Sequence, residues 1–169
     1  MSCEKEILNA KKNKPMLKIN RLRELVAEAV SELEALKVGK VVITKDEITR
    51  FMKEHSEDEN MLLIAIVPEH DISGAEDAWL AENDLGFYIL EKTDYSEHDH
   101  DSYLDIFART QTAAETFVTF ILEKSQDSSS SICNLFAEFG NNVNIPISPI
   151  KGLASCNGYF VGLNFNTSF

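Results

Sequence analysis

The sequence predicts an α+β fold, a mainly antiparallel sheet of four or five strands with two longer helices and one short helix packed on it. Three patterns carry this expectation. Apolar residues recur at spacings of three and four along residues 17–37 and again along 103–122, the period of a helix with one buried face. Residues 61–68 (MLLIAIVP) are an unbroken apolar run between turn-like residues, which suits a central strand covered on both faces. Near the end of the sequence, Tyr159, Val161, Leu163, Phe165, Thr167 and Phe169 alternate with Gly158, Phe160, Gly162, Asn164, Asn166 and Ser168, so a strand there has one apolar face and one neutral, amide-rich face.

Taken in order, the first helix puts Leu22, Leu25, Val26, Ala29, Leu33 and Leu36 on one side, and Gly39 ends it. Thr44 with Glu47 three residues later has the pattern of a capping box, opening a short helix whose apolar side is Ile48, Phe51 and Met52 and which runs to about His55. Residues 56–60 make an acidic turn before the 61–68 strand. Residues 69–84, polar and containing Gly74 and Trp79, are expected as a loop with one helical turn around 75–82. Residues 85–92 are a second strand, antiparallel to the first. An ionisable loop, 93–101, leads into the longest helix, with Tyr103, Leu104, Phe107, Thr110, Ala114, Phe117, Val118, Ile121 and Leu122 on one face and the serines at 128–131 breaking it. Residues 132–139 fit either helix or strand. Pro146 and Pro149 confine the extended segment 143–150 to an edge strand or a strand end.

The chain has 169 residues, 44% of them hydrophobic, which suits one domain, 17–169, preceded by a flexible basic arm, 1–16. The net charge of −12 is uneven: residues 1–23 hold seven basic and two acidic groups, a balance of +5, leaving −17 for the rest. An acidic body of that charge repels phosphates, so a nucleic-acid partner is not expected, and an arm lying on acidic surface is the alternative. Cys3, Cys133 and Cys156 form an odd set without metal-ligand spacing, which fits a reducing compartment and core thiols. The N-terminal residues lack the apolar stretch of a signal peptide, and no apolar run is long enough to span a bilayer, so no membrane association is expected.

No nucleotide-binding glycine loop or nucleophile elbow is present. The one dense group of potential ligands is Asp94, Glu97, His98, Asp99, His100 and Asp101. Imidazole with carboxylate is a workable transition-metal shell, and His70 after the first strand would join His98, His100 and Asp94 if the fold brought them together. The simpler account is an aspartate capping the long helix, with acidic groups in its first turn. Trp79 with Tyr88 or Tyr95 would make a stacking wall only if the fold juxtaposed them.

Across residues 139–169 the sole charge is Lys151, where the overall composition would place about eight. An edge strand normally carries charge as protection against pairing, so this stretch points to contact between copies, with Phe160, Asn164 and Asn166 on the strand face and Lys11, Lys12 and Lys14 on the arm. The segments VVITKDEITRFMKEHSEDENMLLIAIVP, FYILEKTDYSEHDHDSYLDIFARTQ and NGYFVGLNFNTSF resemble a group of uncharacterised proteins from Bacteroidetes bacteria and their phages, found in prophage-like or tail-like gene neighbourhoods. The order of elements is similar to that of small phage tail-completion and tail-terminator proteins. The resemblance implies a non-enzymatic structural subunit without cofactors, forming a ring through sheet-edge and arm contacts. Its partners would be other copies of itself and tail or connector proteins, first in the host cytoplasm and then in a virion or tail-like particle. A small metal-binding module or metal-dependent enzyme is the alternative, and an acidic module that binds a basic partner is a third, which needs carboxylates arrayed on one exposed face.

Overall fold

Residues 17–75, 78–94, 96, 98–127, 130 and 144–168 are described by the computed structural model of the chain. The first helix, α1, spans Ile19–Glu32 and buries Leu22, Leu25, Val26 and Ala29, the inner positions its periodicity marks. It stops short of the expected 37. Residues 33–37 turn, and Val38–Val42 forms a strand, β1, with Gly39 inside it instead of capping the helix. The reason is close packing: a Cβ on Gly39 would lie 2.6 Å from Val26 Cγ1 and 2.8 Å from Val30 Cγ2, so only glycine lets β1 pass this near α1.

Helix α2, Lys45–Glu54, follows with Thr44 at its N-cap position. The capping box does not form, because Glu47 reaches past the N-cap residue. The Glu47 carboxylate accepts the Ile43 N–H at 2.7 Å, whereas the Thr44 side chain makes no capping bond. A single 3-10 turn, Glu57–Glu59, matches the acidic turn and leads into β2, Leu62–Ala75. Then come β3, Ala78–Lys92, the long helix α3, His100–Gln126, and the hairpin of β4, Ile147–Leu153, with β5, Cys156–Ser168. Residues 132–139 and Phe169 lie outside the described residues, as does the arm, 1–16.

The five strands lie in the order β1-β2-β3-β5-β4. All neighbours pair antiparallel except β1 and β2, which run parallel because α2 carries the chain back between them. This α+β architecture has a helix layer on each side. Helices α1 and α3 cover one face, meeting Leu63, Ala65, Phe87, Ile89, Val161, Leu163 and Phe165. The short helix α2 sits on the opposite face, where Ile48 and Met52 pack with Leu62, Ile64, Tyr88 and Leu90. The 61–68 run is thus covered on both sides, as its composition requires.

The largest departure is residues 69–84. They form no loop. They extend β2 and β3 into an antiparallel ribbon, with Glu69 opposite Asp84, His70 opposite Asn83 and Asp71 opposite Glu82, and β5 continues alongside to pair Ser168 with Leu80. Polar, glycine-containing sequence has little intrinsic strand preference, and pairing of β2 with β3, itself flanked by β5, overrides it.

Candidate assembly surface

The direction of each backbone group on β5 follows from one hydrogen bond. Gly162 N–H donates to Pro146 O at 2.9 Å, so the polar backbone groups of Gly162 point toward β4. Alternation along a strand then turns those of Asn164, Asn166 and Ser168 the same way, past the end of β4. Among the described residues, no strand pairs with β5 on that side beyond Gly162. The remaining edges are defended. Pro149 sits on β4 opposite Tyr159, between the inward-bonding positions Ser148 and Ile150, so the outward position in the middle of that edge lacks an N–H, and Lys151 follows. The β1 edge carries Lys40, and the outer part of β2 carries Pro68, Glu69 and Asp71.

The uncharged terminal strand therefore has two explanations. From Cys156 to Gly162 it is an interior strand, paired with β3 on one side and β4 on the other, and an edge there is ruled out. From 163 to 168 it is an edge among the described residues.

Phe160 does not stand free on the strand face. Its ring lies over the directly paired Gly86 and Gly162: a Cβ on Gly86 would meet Phe160 Cε2 at 2.8 Å, and one on Gly162 would meet Cε1 at 3.3 Å. Tyr88 completes the packing with its ring centroid 5.0 Å away. Further out on the same face, Asn164 Nδ2 donates to Glu82 Oε1 at 2.7 Å and to Asp84 Oδ1 at 2.6 Å, bridging two carboxylates that would otherwise repel along β3. Asp71 and Glu69, paired opposite these two, complete an exposed row of four carboxylates. That row answers the geometric requirement of the third sequence reading; the only hint in the sequence was the two-residue spacing of the acids, 69 and 71, 82 and 84. Asn166 pairs with Glu82 at the backbone, and Lys11, Lys12 and Lys14 lie outside the described residues.

The metal candidates do not come together. His70 pairs opposite Asn83 in the outer ribbon, whereas Asp94, His98 and His100 follow the other end of β3, at least nine residues or about 30 Å of strand away. Among the described residues no group of three or more His, Cys, Asp or Glu is arranged to hold a metal. Asp94 instead accepts from Ser96 N at 2.9 Å and Ser96 Oγ at 2.7 Å. Asp99 is the N-cap of α3, accepting from Ser102 N at 2.9 Å and Ser102 Oγ at 2.7 Å. Those bonds hold both carboxyls below the usual carboxylate range, led by the Ser96 hydroxyl for Asp94 and the Ser102 amide for Asp99.

Trp79 and Tyr88 stand on opposite faces and form no stacking wall; Tyr95 lies outside the described residues. Cys156 is a core thiol with Sγ 3.3 Å from Met52 Sδ, and burial pushes its pKa up to about 11. Cys3 and Cys133 lie outside the described residues. No described helix is long and apolar enough to cross a membrane. No known protein family matches the chain, and no curated protein matches it.

Proposed function

We propose that this protein is a non-enzymatic structural subunit of a phage or phage-like tail or connector assembly, in which copies join strand to strand along the outer edge of β5. The observation that carries the reading is the contrast between edges. Proline or charge guards β1, β4 and outer β2, whereas residues 163–168 present outward backbone groups on a strand without a single charge. Strand addition uses such groups for affinity and needs no catalytic machinery. With one unguarded edge among the described residues, the contact pairs β5 with β5 about a two-fold axis, and closure into a ring takes a second contact, supplied with tail or connector proteins. The sequence resemblance supplies the phage setting.

The test is the mass in solution. Light scattering is expected to give multiples of twice 19.0 kDa. Asn166→Pro removes an N–H directed away from β3, so it is expected to yield a monomer with an unchanged circular dichroism spectrum. Thr167→Pro, one residue along, removes a group directed at β3 and is expected to disturb the fold itself. A strict monomer at high concentration, unchanged by added tail proteins, overturns the proposal.

A further inference from the structure

His55, the residue that ends α2, is 3% exposed, and the atoms around its ring decide where its proton sits. Asn60 is held by the backbone of Lys92 on β3: its Nδ2 donates to Lys92 O at 3.0 Å, and its Oδ1 accepts the Lys92 N–H at 2.9 Å. The atom 3.3 Å from His55 Nε2 is that same Oδ1, an acceptor, so Nε2 supplies the proton and the neutral ring keeps its lone pair on Nδ1. Among the described residues Nδ1 is buried and makes no hydrogen bond. Yet it lies 3.2 Å from Glu59 Oε2, a second acceptor, at the end of the 3-10 turn. A lone pair and a carboxylate oxygen this close repel unless something positive lies between them.

We propose that a divalent transition metal of the zinc class binds here, held by His55 Nδ1 and Glu59 Oε2, with water completing its shell. Geometry favours a metal over a proton. A shared proton wants a nearly straight N–H···O line, and this pair stands at ion-pair distance without making that bond. Two ligands of a tetrahedral zinc ion instead meet at the metal at about 109°, and with bonds of about 2.0–2.1 Å they lie about 3.3 Å apart, close to the spacing found. The surroundings agree. A metal-bound imidazole usually donates its other N–H to a fixed oxygen, the part that Asn60 plays from its anchor on β3. Glu54, Glu57, Asp58 and Glu59 are all exposed and draw cations to this turn, while Lys92 Nζ is directed to His55 O at 2.5 Å. With Glu59 56% exposed, an ion can enter from its side. Imidazole beside carboxylate suits zinc and its neighbours over magnesium or calcium. The ion would tie the end of α2 to the turn and, through Asn60, to β3. This site is separate from the His70, His98 and His100 region and does not depend on the assembly reading.

The chain has four histidines, so isotopic labelling of the histidine nitrogens gives few enough NMR signals to follow each ring. On titration of the full chain with zinc chloride, the His55 Nδ1 signal is expected to shift and saturate while Nε2 keeps its proton. Magnesium, which takes oxygen ligands, should leave it in place. Glu59→Gln is expected to keep the circular dichroism spectrum and to raise the zinc needed for half the shift by about tenfold or more, since a lost ligand costs at least as much as a lost outer partner. A His70→Gln, His98→Gln, His100→Gln variant should respond as wild type does. Should Glu59→Gln alter the circular dichroism spectrum, the wild-type titration decides alone. A His55 Nδ1 signal indifferent to millimolar zinc overturns the proposal, as does an equal response in a folded Glu59→Gln. Protons on both ring nitrogens throughout the titration would give the gap to a proton and overturn it as well.

Discussion

Asn157 is buried within β5, and its Oδ1 accepts from Tyr103 Oη at 2.8 Å and from Gly152 N at 3.0 Å, tying the start of α3 to the β4–β5 hairpin. A hydrogen bond of this kind adds about 1 kcal/mol net, and its loss leaves Asn157 Oδ1 with the Gly152 N–H alone. Tyr103→Phe is therefore expected to lower the urea midpoint by an amount equivalent to about 1–2 kcal/mol. A midpoint unchanged from wild type would show that the contact contributes nothing. Cys156 makes a second residue-scale prediction. With its pKa raised to about 11, the thiol stays protonated and inert at neutral pH. In a Cys3→Ser, Cys133→Ser variant it should ignore a thiol reagent at pH 8 until the protein is unfolded in guanidinium, and rapid native reaction would contradict its burial. The core thiol was legible as a type of residue with nothing else to do. The roles of Asn83 and Asn157 were not, because a buried asparagine looks like a loop asparagine until its partners, 66 residues from Asn83 and 54 from Asn157, are known.

At the scale of elements, α1, α2, α3, the central apolar strand and the Pro-restricted edge were legible because each repeats a local period or carries local punctuation. The parallel β1 was hidden, since five residues are too few to show a period and Gly39 looked like a helix stop. The outer ribbon was hidden by composition. Its strands are held by neighbours and not by their own preference. The Phe160 ring over Gly86 and Gly162 gives a test of that sheet: Gly86→Val must displace the ring from its place beside Tyr88, and a loss of about 1–3 kcal/mol is expected by chemical denaturation, as for overpacking elsewhere. The cap of α3 gives another. Because the Asp99 carboxyl is held below its usual range in the fold, its contribution is present above the unfolded value near pH 4 and is lost as pH falls through the folded value. The melting temperature of Asp99→Asn should thus lie below wild type at pH 7, and the gap should narrow at pH 3. A gap independent of pH would mean that the carboxylate charge is irrelevant to the cap.

For the whole molecule, the absence of charge near the C-terminal end was visible in the sequence, but its meaning divided on folding. Part of it reflects an interior strand, and among the described residues only 163–168 lacks a strand neighbour on its outer side. The metal candidates illustrate the complementary failure: residues close in type were placed at opposite ends of one sheet, a separation that no linear spacing discloses. The acidic row on β2 and β3 makes a prediction at this scale. Adding Asp71→Asn to Glu82→Gln removes like charges from a cross-strand pair, and should raise stability at low salt with the gain shrinking in 1 M salt, where the Debye length falls to about 3 Å. A gain untouched by salt would point to a cause other than repulsion.

The irregular pairing between Ile66 and Glu69, where β2 gains one residue on β3, has its own consequence. That extra residue decides which way every later side chain of β2 turns. Deleting Val67 would rotate the outer half by one step, driving Glu69 and Asp71 toward the helices and turning His70 and Ile72 outward. A single-codon deletion there would therefore be expected to do more harm than many substitutions in the ribbon beyond it, because it inverts that half of the strand at one stroke.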